Sequence, residues 1–222
     1  MEGHILVTGG NGFIGRHICI KAASKNIPVV SISRSGKPKG SFNNYSHLIQ
    51  WVEADVFKPE TWSQYLSNCR AVIHCVAILF QDSSKNITHD RFIYQSACIA
   101  GNEAMKAHIP KFVFISAAVI PVFSSRSYNE SKRKAEDHLS KQNFELVILR
   151  PSLIYGKEKP LITLLSRAFN EFGKIPVLKK IVQPIRALSV EMLANAAVMA
   201  ATEQSVDGIL NIDDIERISG QH

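Results

Sequence analysis

Short apolar, β-branched runs alternate with stretches of helical spacing along the first 150 residues of the chain. Ile5–Thr8, Val29–Ser33, Leu48–Glu53, Ala71–Val76, Phe112–Ser116 and Leu146–Leu149 read as strands. Phe13–Ser24, Asp90–His108 and Tyr128–Gln142 read as helices. The strands are apolar almost throughout, the pattern of a parallel sheet covered on both faces. Helices placed between such strands predict a doubly wound α/β fold, with one sheet domain over residues 1–156.

The character changes after Pro151. Leu161, Leu164, Leu165, Ala168, Phe169 and Phe172 follow helical spacing. Residues 157–186 carry Lys157, Lys159, Arg167, Lys174, Lys179, Lys180 and Arg186 against Glu158 and Glu171 alone. We expect a small substrate or lid region over 157–222, packed on the sheet domain. Its basic helix is either a packing element with a solvated face or a surface that meets an anionic membrane or a partner.

Composition narrows the class without naming a function. The chain has 222 residues, 45% hydrophobic and 20% charged, which is globular rather than disordered. No run approaches the ~18 apolar residues of a membrane span. Strand-like sequence begins at His4 and leaves no room ahead of it for a signal peptide, although a processed precursor would look the same. Cys19, Cys69, Cys75 and Cys98 form no C-x-x-C pair and sit in apolar stretches, so buried free thiols are expected. The eight histidines show no ligand spacing, and no metal site is expected. The net charge of +7 comes without a helix-turn-helix, aromatic RNA-binding or zinc pattern, so no nucleic-acid partner is expected.

The first strand runs into Thr8-Gly9-Gly10-Asn11-Gly12-Phe13-Ile14-Gly15. A Gly-x-Gly-x-x-Gly that follows a strand and opens a helix is a dinucleotide-binding loop. Its glycines allow a tight turn and close approach of a pyrophosphate to the helix N-terminus, and a small residue at 15 lets helix and strand pack. Selection of NAD usually rests on a carboxylate at the end of the second strand. Here that place holds Ser33-Arg34-Ser35, whose guanidinium and hydroxyls suit a 2′-phosphate, and Arg16 could add a second cation. We expect NADP(H). Asp55-Val56, after the third strand, is placed to meet the adenine, with a turn-forming aspartate as the alternative. Cys75-Val76-Ala77, after the fourth strand, and Arg150-Pro151, after the sixth, complete the expected cofactor contacts.

Tyr128-x-x-x-Lys132 puts a phenol and an ammonium on one face at a helix start. The ammonium is expected to lower the phenol's pKa toward useful acid–base range. Ser116, at the end of the fifth strand, could donate to a substrate carbonyl while Tyr128 delivers a proton. Ser116, Tyr128 and Lys132 are the expected catalytic set, with Tyr128 and Lys132 also touching the cofactor.

These segments, with Arg150-Pro151-Ser-Leu-Ile-Tyr155-Gly156, resemble the short-chain dehydrogenase/reductase superfamily in its extended or atypical branch. The resemblance implies a Rossmann fold, NADP(H) and a small-molecule substrate. Within the branch, Ser31–Lys37, Phe57-Lys-Pro59, Gln95-Ser-Ala97 and Tyr128–Glu136 are similar to mitochondrial members associated with coenzyme Q (ubiquinone) biosynthesis. More distantly the chain resembles the NADPH-binding accessory subunit of respiratory complex I. That likeness implies a quinone precursor or other apolar carbonyl compound, the matrix side of the inner mitochondrial membrane and association with a membrane or a multi-protein complex; a cytoplasmic place is the alternative. Two departures stand out. Gln95 occupies the place where many active members carry a relay Asn, and the region after Lys157 is short for the extended branch. Two functions stay open: an NADP-dependent oxidoreductase, or a non-catalytic NADPH-binding subunit of a mitochondrial complex.

Overall fold

The computed structural model describes residues 3–38, 45, 47–118, 125–158 and 186–220. Seven parallel strands form one sheet in the order β3-β2-β1-β4-β5-β6-β9. They are β1 (His4–Thr8), β2 (Val29–Ser33), β3 (Ile49–Glu53), β4 (Cys69–His74), β5 (Lys111–Ile115), β6 (Glu145–Leu149) and β9 (Gly208–Leu210). A two-stranded parallel pair, β7 (Ile154–Tyr155) and β8 (Leu188–Ser189), lies apart from it. The order reverses between β1 and β4, which opens a crevice at the carboxyl ends of those strands.

The side-chain period of two splits the core. Ile5, Val7, Ala71, Ile73, Val113 and Val147 enter the layer beneath α1 (Phe13–Ser24), α4 (Val190–Thr202) and α5 (Ile212–Ser219). Leu6, Val72, Phe112, Phe114 and Ile148 enter the opposite layer with Trp62, α2 (Ser96–Lys106) and α3 (Arg126–Leu139). Ten of these eleven strand side chains are under 2% exposed, so the near-continuous apolar runs follow from burial on both faces.

The structure moves several expected boundaries. The helix expected over Asp90–His108 begins as a π-turn, Asp90–Gln95, and becomes regular only at Ser96. It stops at Lys106, and His108 takes a left-handed backbone (φ 54°). The helix expected from Tyr128 starts two residues earlier, because the Ser125 side chain accepts the Tyr128 N–H and caps it. The fourth strand ends at His74 rather than Val76, which puts Cys75-Val76-Ala77 in the loop beyond it.

Residues on both sides of Gly156 build the one sheet layer. β9 pairs with β6, and α4 packs on α1. The apolar series Leu161–Phe172 and most of the basic stretch lie outside the described residues. Arg186, counted among those cations, is held by Asp213 (2.6 Å) and Glu216 of α5. Among the described residues no helix is long and apolar enough to cross a membrane. Cys19 and Cys69 are buried and Cys75 and Cys98 half-buried, all as free thiols.

Candidate functional site

β1 ends in the glycine loop, and its geometry depends on missing side chains. Gly9 turns with φ 74°. A Cβ on Gly10 would meet Ser31 Oγ at 2.1 Å, and one on Gly15 would meet Gly9 O at 2.3 Å. Gly12 caps α1 without a side-chain hydrogen bond, and no acidic residue lies in the first turn. Free N–H groups and a positive helix end therefore face the crevice, which is what a pyrophosphate needs.

A cleft of about 460 Å³ extends from this loop toward the ends of β2 and β3. From the expected set it is lined by Gly9, Asn11, Gly12, Ser33, Arg34 and Ser35 on one side. Asp55, Val56, Cys75, Val76 and Ala77 line the other. Asn11 Nδ2 donates to Ser35 Oγ (2.7 Å) and ties the two loops together. Asp55 lines the cleft and also accepts the Phe57 N–H (3.1 Å), so it shapes its own turn.

A second cleft of about 260 Å³ continues from the first, sharing Gly12, Cys75, Ala77 and Ile78. Ser116 and Tyr128 face it, with Phe13, Ile14, Gly15 and Pro151. The rest of its described lining is apolar apart from Ser152. The end at the glycine loop and the end that holds the phenol thus belong to one groove.

Five expected residues lie outside that lining. Gly10 is packed behind the loop, against Ser31. Thr8 is buried and bonded to His74 Nδ1 (2.8 Å). Arg16 is half-buried, and its Nε has no hydrogen-bond partner among the described residues. Lys132 is buried beneath the groove; its Nζ donates to Ile115 O (2.6 Å) and lies 5.9 Å from the Tyr128 ring centroid. Arg150 grips Glu136 from the far side (2.6 Å).

Charges around Tyr128 differ from the expectation. Burial pushes its phenol up, opposed by the charge of Arg133, rather than leaving it lowered by Lys132. Burial likewise brings Lys132 down to about 7. Ser116 is occupied: its hydroxyl donates to Glu136 Oε1 (2.5 Å). Burial acts to raise Glu136, but hydrogen bonds from Arg150 and Ser116 and the charge of Arg133 hold it below the usual carboxylate range. Gln95 is exposed and bonded to Asp90 (2.8 Å), away from both clefts.

The sequence reading missed Glu136, which lies one helical turn beyond Lys132 and could have been found from that spacing. It also missed His89. This buried ring packs edge-on against Tyr128 (5.4 Å), meets Ser127 Oγ (2.9 Å) and donates from Nε2 to Leu79 O (3.1 Å). His17 and Glu158 do come together (2.9 Å), although no metal-holding cluster exists among the described residues.

Comparison with known proteins agrees with this geometry. Residues 5–213 match the model of the NAD dependent epimerase/dehydratase family. An uncharacterised chloroplastic protein of Arabidopsis thaliana is 31% identical over 98% of the chain and 77% of its own length. MIOREX complex component 2 of Saccharomyces cerevisiae is 27% identical over 95% of the chain and 98% of its own length. The crystal structure of the Bordetella bronchiseptica enzyme WbmG with NAD shares the fold, with a TM-score of 0.69 over 96% of this chain and 73% of that one at 18% identity. With the strand order, the glycine cradle and the placement of Tyr128 over Lys132, these matches establish that the chain belongs to the NAD-dependent epimerase/dehydratase family, in the extended branch of the short-chain dehydrogenases/reductases.

Proposed function

We propose that the protein is an NADP(H)-dependent oxidoreductase that reduces an apolar carbonyl compound, with a quinone precursor of mitochondrial ubiquinone synthesis as the substrate class. The observation that carries this reading is the single groove with a phosphate cradle at one end and Tyr128 in an apolar cleft at the other. The residues present fit a dinucleotide, since Gly9 turns at φ 74° and the Gly10 and Gly15 positions have no room for a Cβ. When bound, the cofactor supplies a hydride. The α1 N-terminus would hold its pyrophosphate, and Arg34 with Ser35 its 2′-phosphate. Tyr128 holds the proton that a reduced carbonyl must gain. Lys132, fixed on Ile115 O and 5.9 Å from the Tyr128 ring centroid, would provide a nearby charge that depends on pH near neutrality. The apolar walls Ile14, Ile78, Leu153 and Ile154 exclude water and favour an uncharged, greasy substrate.

A second reading has its own support. The Ser116 hydroxyl donates its hydrogen bond to Glu136 and Gln95 is bonded to Asp90, so neither hydrogen-bonds Tyr128. Together with the likeness to a named complex component, this favours an NADPH-binding subunit that stabilises a mitochondrial assembly. In that role the protein would meet a membrane or partner through its basic C-terminal stretch.

Tyr128→Phe separates the two. The reductase reading expects loss of at least about a hundredfold in NADPH-dependent turnover with an unchanged NADPH Kd, because only the transferable proton is removed. Full rescue by Tyr128→Phe of quinone-deficient cells lacking the native gene would reject the reductase reading in favour of the subunit.

A further inference from the structure

The outer end of the larger cleft holds a feature that the glycine loop and the Tyr128 cleft do not use. Arg34, after β2, places its guanidinium carbon 5.4 Å from the centroid of the Phe92 ring. Arg91, on the π-turn before α2, places its own 5.8 Å from the same centroid and 4.9 Å from that of Phe57. Phe57 and Phe92 meet edge-on at 5.4 Å, and both line the cleft. Two segments 57 residues apart in sequence thus bring two cations onto one aromatic pair. Neither guanidinium has an ion-pair partner among the described residues. Asp90, beside Arg91, is bonded to Gln95 (2.8 Å), and Asp55 is turned to its own backbone. Arg91 makes one long contact, from Nη1 to Asn86 O at 3.5 Å.

We infer that Arg91 is the second cation for the cofactor's 2′-phosphate, acting with Arg34 from the Phe57–Phe92 platform. This rests on the NADP(H) reading above. A phosphate monoester carries close to two negative charges at neutral pH, which one guanidinium only partly offsets. Both guanidiniums lie over the same ring, 5.4 and 5.8 Å from its centroid, so an anion reached by both would meet two positive charges, which suits a dianion. Stacking on aromatic faces leaves the donor edges of each guanidinium free to bond the phosphate oxygens, and restricts the rotamers that binding would otherwise have to fix. The π-turn matters here: it carries Phe92 into the cleft wall, with Arg91 over the Phe57 and Phe92 rings beside it, while Ser96 begins the regular helix. Arg16, the second cation expected from the sequence, is not part of the cleft lining.

Calorimetric titration of the full chain with NADPH, NADH, 2′,5′-ADP and 5′-AMP tests this. Arg91→Gln should raise the Kd for NADPH and for 2′,5′-ADP about tenfold, the loss of one charge-assisted hydrogen bond, and leave NADH and 5′-AMP within twofold. Arg91→Lys should recover part of the loss, and the NADPH affinity of wild type should fall more steeply with salt than that of Arg91→Gln. Wild type that prefers NADPH, with Arg91→Gln unchanged, overturns the role of Arg91 and leaves the cofactor reading standing. Wild type with equal affinity for NADPH and NADH overturns both. Equal weakening toward all four ligands by Arg91→Gln also rejects the proposal, since it would mark a general structural role.

Discussion

Ser116 and Glu136 share a buried hydrogen bond of 2.5 Å, with the hydroxyl as donor. The same carboxylate receives Arg133 from its own helix and Arg150 from the end of β6. Arg133 also donates to Ala117 O, so the strand ends that carry the cleft are fastened to α3 through one acidic side chain. A buried carboxylate between two guanidiniums tolerates loss of a neutral donor far better than loss of its own charge. Ser116→Ala should therefore lower the unfolding free energy by about 1 kcal/mol, and Glu136→Ala by roughly 2–3 kcal/mol, because two half-buried cations lose their buried partner. Urea titrations of the two variants check this; equal costs would mean that Glu136 is not the hub.

Gly15 gives the second prediction. An added Cβ would lie 2.3 Å from Gly9 O and 2.8 Å from Gly10 Cα, both backbone atoms that cannot swing aside. Gly15→Ala should push α1 off the loop. NADPH affinity should fall at least about tenfold, and stability by roughly 1–3 kcal/mol from overpacking. A variant that binds NADPH as well as wild type would show that the loop can open without harm.

His74 provides the third, through pH. Burial, with a smaller contribution from the Lys132 charge, brings its pKa down to about 3. Ser96 Oγ donates to Phe92 O, so it accepts from His74 Nε2–H, and Nδ1 accepts from Thr8. The folded ring stays neutral while the unfolded ring takes up a proton below about 6.5. The unfolded state therefore binds more protons between pH 6.5 and 3, and stability falls as pH falls through that window. At pH 5 the ring should account for a loss of about 1–2 kcal/mol relative to pH 7. His74→Gln should show a correspondingly flatter decline in urea midpoints between pH 7 and 5. An identical decline in both proteins would remove His74 as the cause.

Legibility followed sequence distance. The strands could be read because burial on both faces writes itself into consecutive residues, and the glycine loop because its constraint is local. Side chains that meet across the fold left no such trace. Arg34 and Arg91 share an aromatic ring only because β2 and the π-turn converge at the crevice. Thr8, His74 and Ser96 form one buried chain from three distant segments. The end of the last strand carries a readable signal. Asn211 and Asp214 form a capping box, so the strand ends at Leu210 and a helix begins at Ile212. The Tyr128–Lys132 pairing was legible as a spacing, but its electrostatics were not, since burial outweighs the neighbouring charge on both groups.

The packing of α1 on α4 and the pairing of β6 with β9 also govern how the protein can be made. During synthesis the nucleotide loop and six of the seven strands leave the ribosome before residues 190–210 exist. Until those residues arrive, the buried face of α1, including Ile18, Cys19 and Ala22, lacks its cover, and β6 presents an open edge. Until then the nascent chain exposes an apolar helix face and an open strand edge together, the two surfaces through which folding intermediates aggregate.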